Sequence, residues 1–333
     1  MPKLTNLDIL NKVDRYPHPE TQSEEYAQAQ RNLYYLQAKD SEGVFPVGCM
    51  LRQVVDALAK LPEALATGIE IDHQNQTVTA FTQPTEAERT AQIAAITQHW
   101  RATNTFRILA GWRNELWPVY DRRGLSVQYN VERAAAGLLG VTRYGVHLNA
   151  WVPSPSGSAD GIRLWIGRRA ADKSTYPGML DNTAAGGLMT GEDPFECIVR
   201  EADEEAALPE ALVRQTAKAA GHVTYLFLSQ PESGGESGLF SPECQWVYDV
   251  ELPQGVTPVP KDGEVEGFYL WTVDEVFEQL YQGKFKPNCG LVILDFFIRH
   301  GIITRENEPN YDEIKSRLRR ALPFPGPHTY ITA

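Results

Sequence analysis

Residues 186–208 read GGLMTGEDPFECIVREADEEAAL, and this stretch decides the fold. Its second half sets Glu201, Asp203, Glu204 and Glu205 on one short segment with only Arg200 to offset them. Like charges three or four residues apart destabilise a helix by roughly 0.2–0.5 kcal/mol per pair, so the segment needs full solvation or a counter-ion. The helix start is legible: Asp193 suits the N-cap, Pro194 the first helical position, and Glu196, three residues after the cap, completes a capping box. Counted forward, Glu201 and Glu205 are four apart and Glu201 and Glu204 three apart, which brings the carboxylates out on one face. Such a face suits Mg²⁺, which takes a few hard carboxylate oxygens, keeps some waters and completes its shell from a phosphorylated substrate. Arg200 and Glu204, at i and i+4, are expected to pair. Charge runs of this kind also occur on solvated helices. The upstream glycines Gly186, Gly187 and Gly191 narrow the reading, because glycine permits positive φ and a close backbone approach to an anion or metal.

Outward from this stretch, the chain of 333 residues is long enough for two domains, and 42% apolar with 22% charged residues is ordinary for a globular protein. Its formal net charge of −12 and the absence of a Lys/Arg run argue against a nucleic-acid partner. No segment has the apolar length of a membrane span and the first residues lack a signal-peptide pattern, so no membrane partner and a cytoplasmic location are expected. Cys49, Cys197, Cys244 and Cys289 form no CxxC pair and read as reduced structural thiols.

Periodicity organises the rest. Helical spacing marks residues 52–66 and 84–100, with an alternating hairpin between them that turns at Gln74 and Asn75. A small α+β domain over residues 1–105 is expected. From Trp112 onward short strands follow: WPVYD, LSVQYNVE, GVHLNAWV and GIRLWIGRR, then HVTYLFL, CQWVYDVEL and FYLW beyond the acidic helix. Residues 154–161, SPSGSADG, read as a flexible hairpin loop, and helices are expected over 274–280, 290–300 and 311–322. The fold class is α/β, a mixed sheet flanked by helices over residues 106–333.

Gly186, Glu192, Arg200-Glu201-Ala202, Glu204-Glu205 and Ala207-Leu208 stand at the spacing of the Nudix box, which this chain resembles; only the final glycine differs, being Ala207. The resemblance implies an α/β/α sandwich and Mg²⁺- or Mn²⁺-dependent hydrolysis of a diphosphate joined to another moiety. It implies Glu201 and Glu205 as metal ligands, Glu204 sharing the cluster, Glu192 and Gly191 supporting the loop, and the carbonyl of Ala185 as a further ligand. Residues 112–120, 131–141, 144–152 and 168–187 are also similar to the Nudix proteins that stand free or fused to the front of fungal thiamine pyrophosphokinases, a branch that favours alanine at the position of Ala207. That likeness implies removal of phosphate from thiamine diphosphate or its damaged, oxidised forms, a metabolite-repair reaction.

The residue types agree with such chemistry. Arg168, Arg169 and Lys173, on a strand end before the box, are placed to bind a diphosphate beside Gly186 and Gly187. Trp112, Trp117, Tyr120 and Tyr144 offer aromatic faces for a cation, though most are expected in cores. His147 on a strand is a further substrate-binding candidate. The proton of the attacking water is expected to go to Glu201 or to Glu264, with Glu266 in reserve and Arg200 orienting the cluster. Alternatives are a Nudix diphosphatase for ADP-ribose, NADH or a nucleotide sugar, a non-catalytic Nudix sensor, and an isopentenyl diphosphate isomerase, which carries a catalytic cysteine where this chain has Thr183. The N-terminal domain is expected to close over the organic part of a small-molecule substrate; oligomeric state is not legible.

Overall fold

A computed structural model describes residues 3–154, 161–230 and 235–330. The N-terminal part runs α1 (Asn6–Asn11), α2 (Ser23–Gln30), β1 (Leu33–Asp40), β2 (Gly43–Leu51), α3 (Arg52–Leu58), α4 (Glu63–Ala66), β3 (Glu70–Asp72), β4 (Thr77–Thr79) and α5 (Glu86–Ala102). The strands form a four-stranded sheet in the order β2-β1-β4-β3. The expected hairpin is present as the antiparallel β3/β4 pair. The expected single helix over 52–66 is two, α3 and α4, because Pro62 brings no N–H and holds the preceding residue away from helical angles.

β5 (Leu116–Tyr120), β6 (Val127–Glu132) and α6 (Ala136–Leu139) follow. Among the described residues β5 and β6 pair only with each other. Their inward residues Val119, Tyr129 and Val131 join Leu36, Met50, Ile93 and Trp100 in one core. Residues 106–141, expected in the second domain, thus pack in the first core, because the alternation of β5 and β6 buries their apolar face against α5.

The second part contains β7 (Arg143–Pro153), β8 (Ile162–Arg169), β9 (Leu180–Asp181), β10 (Ala184–Gly187), α7 (Pro194–Ala206), α8 (Glu210–Thr216), β11 (Lys218–Leu228), β12 (Phe240–Glu251) and β13 (Val265–Thr272). Helices α9 (Val273–Tyr281), α10 (Pro287–Arg299) and α11 (Tyr311–Arg317) complete it. The sheet has the order β11-β12-β7-β8-β13, with β10 on β7 and β9 on β8. β12 runs parallel to β7 and the other pairs are antiparallel, so the sheet is mixed. Alternation sorts its faces. Tyr144, Val146 and Leu148 of β7 pack with Cys197, Ile198 and Ala202 of α7 on one side. On the other, Val223 and Val247 meet Leu291 and Val292 of α10. This is the α/β fold with helices on both sheet faces that the sequence implies.

Two further expectations change. The helix over 311–322 stops at Arg317, since the next residues pair with β11: Thr224 N donates to Leu318 O at 3.1 Å and Thr224 Oγ1 to Arg320 O at 2.7 Å. The loop over 154–161 lies mostly outside the described residues, but the β7/β8 pairing that it joins, through Pro153 and Ile162, is in place. All four cysteines are free and buried.

Candidate functional site

α7 starts as its residues dictate. Asp193 accepts from Phe195 N at 2.8 Å and from Glu196 N at 3.3 Å, and Pro194 opens the helix. The capping box is only half made: the Glu196 carboxylate turns to Arg214, at 2.6 and 2.7 Å, because a bidentate guanidinium outcompetes one backbone N–H. The helix ends at Ala207 in the left-handed region with φ 51°. A side chain there is strained by about 1–2 kcal/mol, part of which glycine would return as chain entropy in the unfolded state. Ala207→Gly is therefore expected to stabilise the protein by about 0.5–1 kcal/mol, readable in a denaturant titration.

The acidic face meets β10 edge-on. Glu205 is buried, and its Oε2 accepts from Ala185 N at 2.8 Å. The Glu201 carboxylate lies against Gly186, where an added Cβ would stand 2.0 Å from Oε1; the glycine is what makes room for it. Burial, with the charge of Glu204, raises the Glu201 carboxyl above its ordinary range against the pull of Arg200. Burial, then the charges of Asp181 and Glu201, push Glu205 well above it. Two carboxylates are thus held in low dielectric without full compensation, the condition that a bound cation relieves. Glu204 is half exposed.

Arg200 ties the cluster together: it reaches Glu192 at 2.9 Å, Glu201 at 2.9 Å and the expected partner Glu204 at 2.8 Å. Glu192 thereby fastens the loop before α7 to the helix, and Gly191 takes φ 81° in that loop. Across the cleft stands Glu264, ion-paired with Lys173. Burial opposes its ionisation, but the bond and charge of Lys173 outweigh it and hold the carboxyl below its ordinary range.

Arg200, Glu201, Glu204, Glu205, Lys173 and Glu264 share one cleft of about 650 Å³, which also takes in Ala185, Gly187, Trp117, Tyr144, His147 and Arg169. The Trp117 ring covers Gly187, where a Cβ would stand 3.1 Å from it, and the Arg133 guanidinium lies 5.3 Å from the indole. Both come from the N-terminal part, which therefore forms a wall of the cleft.

Other candidates fall elsewhere. Arg168 points away from the cleft to Tyr269 Oη at 3.1 Å, since successive residues of β8 alternate between faces. Arg169 faces the cleft but is spent on Asp181 at 2.9 Å and on the carbonyls of Thr175 and Tyr176, holding the loop 170–178. Trp112 packs on the first core beneath Arg101, and its indole donates to Asn114 Oδ1. Tyr120 meets Tyr144 edge-on in the second core, and Glu266 is exposed outside the cleft.

His147 lies in the cleft floor, bonded through Nδ1 to Asn182 Oδ1 at 2.8 Å, and burial, with Lys286, lowers its pKa to about 4. It is a neutral imidazole. With Asp181 and Cys289 it makes the one compact trio of potential metal donors among the described residues. That trio does not suit a cation: Arg169 and Lys286 already neutralise Asp181, and the thiol of Cys289, driven up by burial and Asp181, donates to Asp181 Oδ1. Sequence reading missed the far end of the cleft, with Arg143, Tyr225, Glu243, Gln245, Lys286 and Asn288. The available signal was a set of alternate polar residues in strands that are otherwise apolar.

Two buried carboxylates on a helix face, a glycine floor and a facing Glu264–Lys173 pair offer the groups that metal-assisted phosphoryl chemistry uses. A NUDIX domain model matches residues 147–289, and a domain of unknown function, DUF4743, matches 42–143. The uncharacterized protein YJR142W of Saccharomyces cerevisiae is 35% identical over 96% of this chain and 92% of its own length. Nudix hydrolase 20, chloroplastic, of Arabidopsis thaliana is 42% identical over 64% of this chain and 54% of its own, so the chain spans about half the length of that relative. Among solved structures, DR0079 of Deinococcus radiodurans is 20% identical, with a TM-score of 0.38 over 55% of this chain and 99% of that one. Residues 147–289 thus carry a NUDIX domain, and Nudix hydrolases are among the relatives of the chain; both support a hydrolase of phosphoric anhydride bonds. Members generally use divalent metals such as Mg²⁺. No helix among the described residues is long and apolar enough to cross a membrane.

Proposed function

We propose that this protein hydrolyses thiamine diphosphate, or its oxidised forms, to the monophosphate with Mg²⁺ or Mn²⁺. The observation that carries the chemistry is the pair of incompletely compensated carboxylates, Glu201 and Glu205, facing Glu264 and Lys173 across one cleft. The substrate reading rests on the likeness of residues 112–120, 131–141, 144–152 and 168–187 to the thiamine-linked Nudix branch. It is supported by a cleft that runs well past the carboxylates and leaves room for an organic group.

In this reading Glu201 and Glu205 hold the metal and Glu204 completes the cluster. The ion, when bound, neutralises charge on the phosphates and acidifies water. Glu264, kept ionised by Lys173, takes the proton of the attacking water on a carboxylate oxygen. Arg200 orients Glu201 and Glu204, Lys173 meets the phosphates, and Gly186 and Gly187 let the diphosphate approach the backbone. Arg133 and Trp117 of the N-terminal part cover the organic moiety and exclude water. A cytoplasmic site of action belongs to the same proposal.

The test is product release with Mg²⁺ from thiamine diphosphate, its oxidised analogues, ADP-ribose and NADH, beside the Glu204→Gln, Glu205→Gln double variant. Thiamine monophosphates from the parent and none from the variant are expected. Cleavage of ADP-ribose or NADH alone would retain the chemistry and overturn the substrate.

A further inference from the structure

The N-terminal part brings a loop to the cleft just before β5, and its backbone is held at one residue after another. Trp112 packs on the first core, and its indole donates to Asn114 Oδ1 at 2.9 Å. Arg113 N donates to Oε1 of Glu132, a carboxylate buried in that core, at 3.0 Å. Asn114 sits in the left-handed region with φ 59°, which its short polar side chain tolerates. Glu115 O accepts from Arg133 N at 2.8 Å, and its carboxylate pairs with the Arg133 guanidinium at 2.7 Å. Leu116 O accepts from Thr190 N at 2.9 Å, in the stretch between β10 and α7. The backbone that carries Arg113 is thereby tied both to its own core and to the loop of the carboxylate helix.

The Arg113 side chain is left over. It is exposed and lines the cleft, and among the described residues its guanidinium makes no hydrogen bond and no ion pair. The other cations around the carboxylates already have partners: Arg200 holds Glu192, Glu201 and Glu204, Arg169 holds Asp181, Lys173 holds Glu264, and Arg133 holds Glu115. Arg113 is nevertheless close enough to Glu264 to act on it. Burial raises the Glu264 carboxyl, and Lys173 and, after it, the charge of Arg113 hold it below its ordinary range. A fixed backbone thus presents an unpaired guanidinium on the Glu264 side of the cleft. Its planar fork matches two oxygens of a phosphoryl group at once, and it gives up no protein partner on meeting them.

We propose that Arg113 is a catalytic residue supplied by the N-terminal part: its guanidinium donates two N–H bonds to the nonbridging oxygens of the phosphoryl group that water attacks. This rests on the diphosphatase reading above. In the step, the water oxygen bonds to phosphorus as the bond from that phosphorus to the bridging oxygen breaks. The electron pair stays on the bridging oxygen, which leaves with the other phosphate, and the water proton passes to Glu264. Arg113 moves no proton. It offsets the charge of the attacked group beside the anionic Glu264, where two anions would otherwise repel. The part of the chain matched by the domain of unknown function, residues 42–143, thereby takes a share in the chemistry.

The experiment sets the parent beside Arg113→Ala and Arg113→Lys in two measurements. The first is calorimetric binding of methylenediphosphonate, a diphosphate mimic that cannot be hydrolysed, in the presence of Mg²⁺. Arg113→Ala is expected to bind it at least about tenfold more weakly, with Arg113→Lys between the two because it keeps the charge without the fork. The second is turnover of the substrate panel above. Arg113→Ala is expected to lower kcat by about a hundredfold or more, and added guanidinium ion, well below denaturing concentrations, to restore part of that loss while leaving the parent unchanged. A merely loosened loop would not respond to guanidinium. The substitution leaves Arg113 N on Glu132, so an unchanged melting temperature is expected and checks the fold. Parent-like binding and turnover in Arg113→Ala would overturn the proposal, as would a lost turnover that guanidinium does not restore while the diphosphonate still binds as in the parent. A parent that takes up no diphosphonate would overturn it together with the diphosphatase reading. Binding that depends on Arg113 in a parent that cleaves nothing in the panel would sink that reading alone and leave the phosphate contact of Arg113 standing.

Discussion

Glu205→Gln is expected to lower turnover by a factor of about 10³ or more and yet leave the metal-free protein no less stable than its parent. The two effects share one cause. Burial, and then the charges of Asp181 and Glu201, raise the Glu205 carboxyl in the folded state well above its value in the unfolded chain. The folded protein therefore holds that proton more tightly. The contribution of this group to stability is complete below the unfolded pKa, near 4.5, and is lost as pH climbs toward the folded value. At neutral pH the ionised carboxylate is a liability until a cation joins it. Glutamine keeps an oxygen for Ala185 N and carries no charge, so it removes the liability together with the proposed ligand. Mg²⁺ at about 100 times its dissociation constant would add roughly 2.7 kcal/mol to the parent and little to the variant. Thermal melts between pH 5 and 8, with and without Mg²⁺, measure this: the metal-free parent loses stability with rising pH, the variant less so, and only the parent is raised by the ion. A variant that melts like the parent in Mg²⁺ would remove Glu205 from the metal site.

What could be foreseen from the sequence follows from how local each signal is. The start of α7 at Asp193 and Pro194, the shared face of Glu201 and Glu205, and the pairing of Arg200 with Glu204 all depend on residues within a few positions of each other, where helical spacing is decisive. Arg168 and Arg169 show where this ends. They are chemically alike and adjacent, and which one faces the cleft depends on the register of β8 against β9 and β13, set by residues far along the chain. The same holds for Trp112 and Trp117, and for residues 106–141, whose alternation marks strands without saying which core receives them. Gln245 and Glu243 were invisible for a subtler reason. In a strand, alternate polar residues normally signal a solvated face, and only α10 and α1, packed over that face farther along, turn the same pattern into the lining of a recess.

Asp14→Ala is expected to cost about 3–5 kcal/mol of stability, a fall in melting temperature of roughly 10 °C for a chain of this size. The Asp14 carboxylate is fully enclosed and takes Arg320 at 2.8 Å, Arg317 at 3.1 Å and His18 at 2.7 Å, besides Leu226 N at 3.2 Å. One side chain thus joins the segment after α1, the C-terminal segment after α11 and the edge strand β11. Removing it strands the buried guanidinium of Arg320, whose remaining partners include the carbonyls of Tyr16 and Pro17 and, among the described residues, no other carboxylate. Asp14→Asn keeps the shape and an acceptor, so a smaller loss, about 1–3 kcal/mol, is expected. The site feels the same change, because Lys12, Val13 and Arg15 on either side of Asp14 line the far arm of the cleft, where the Arg15 guanidinium lies 5.9 Å from the Phe227 ring. Loosening that segment should raise KM more than it lowers kcat, since the carboxylates of α7 are held by β10 and Arg200 without help from the N-terminus. Denaturant titration and steady-state kinetics on the two variants together separate these effects. A melting temperature unchanged in Asp14→Ala would mean that the buried ion cluster contributes nothing to joining the two ends of the chain.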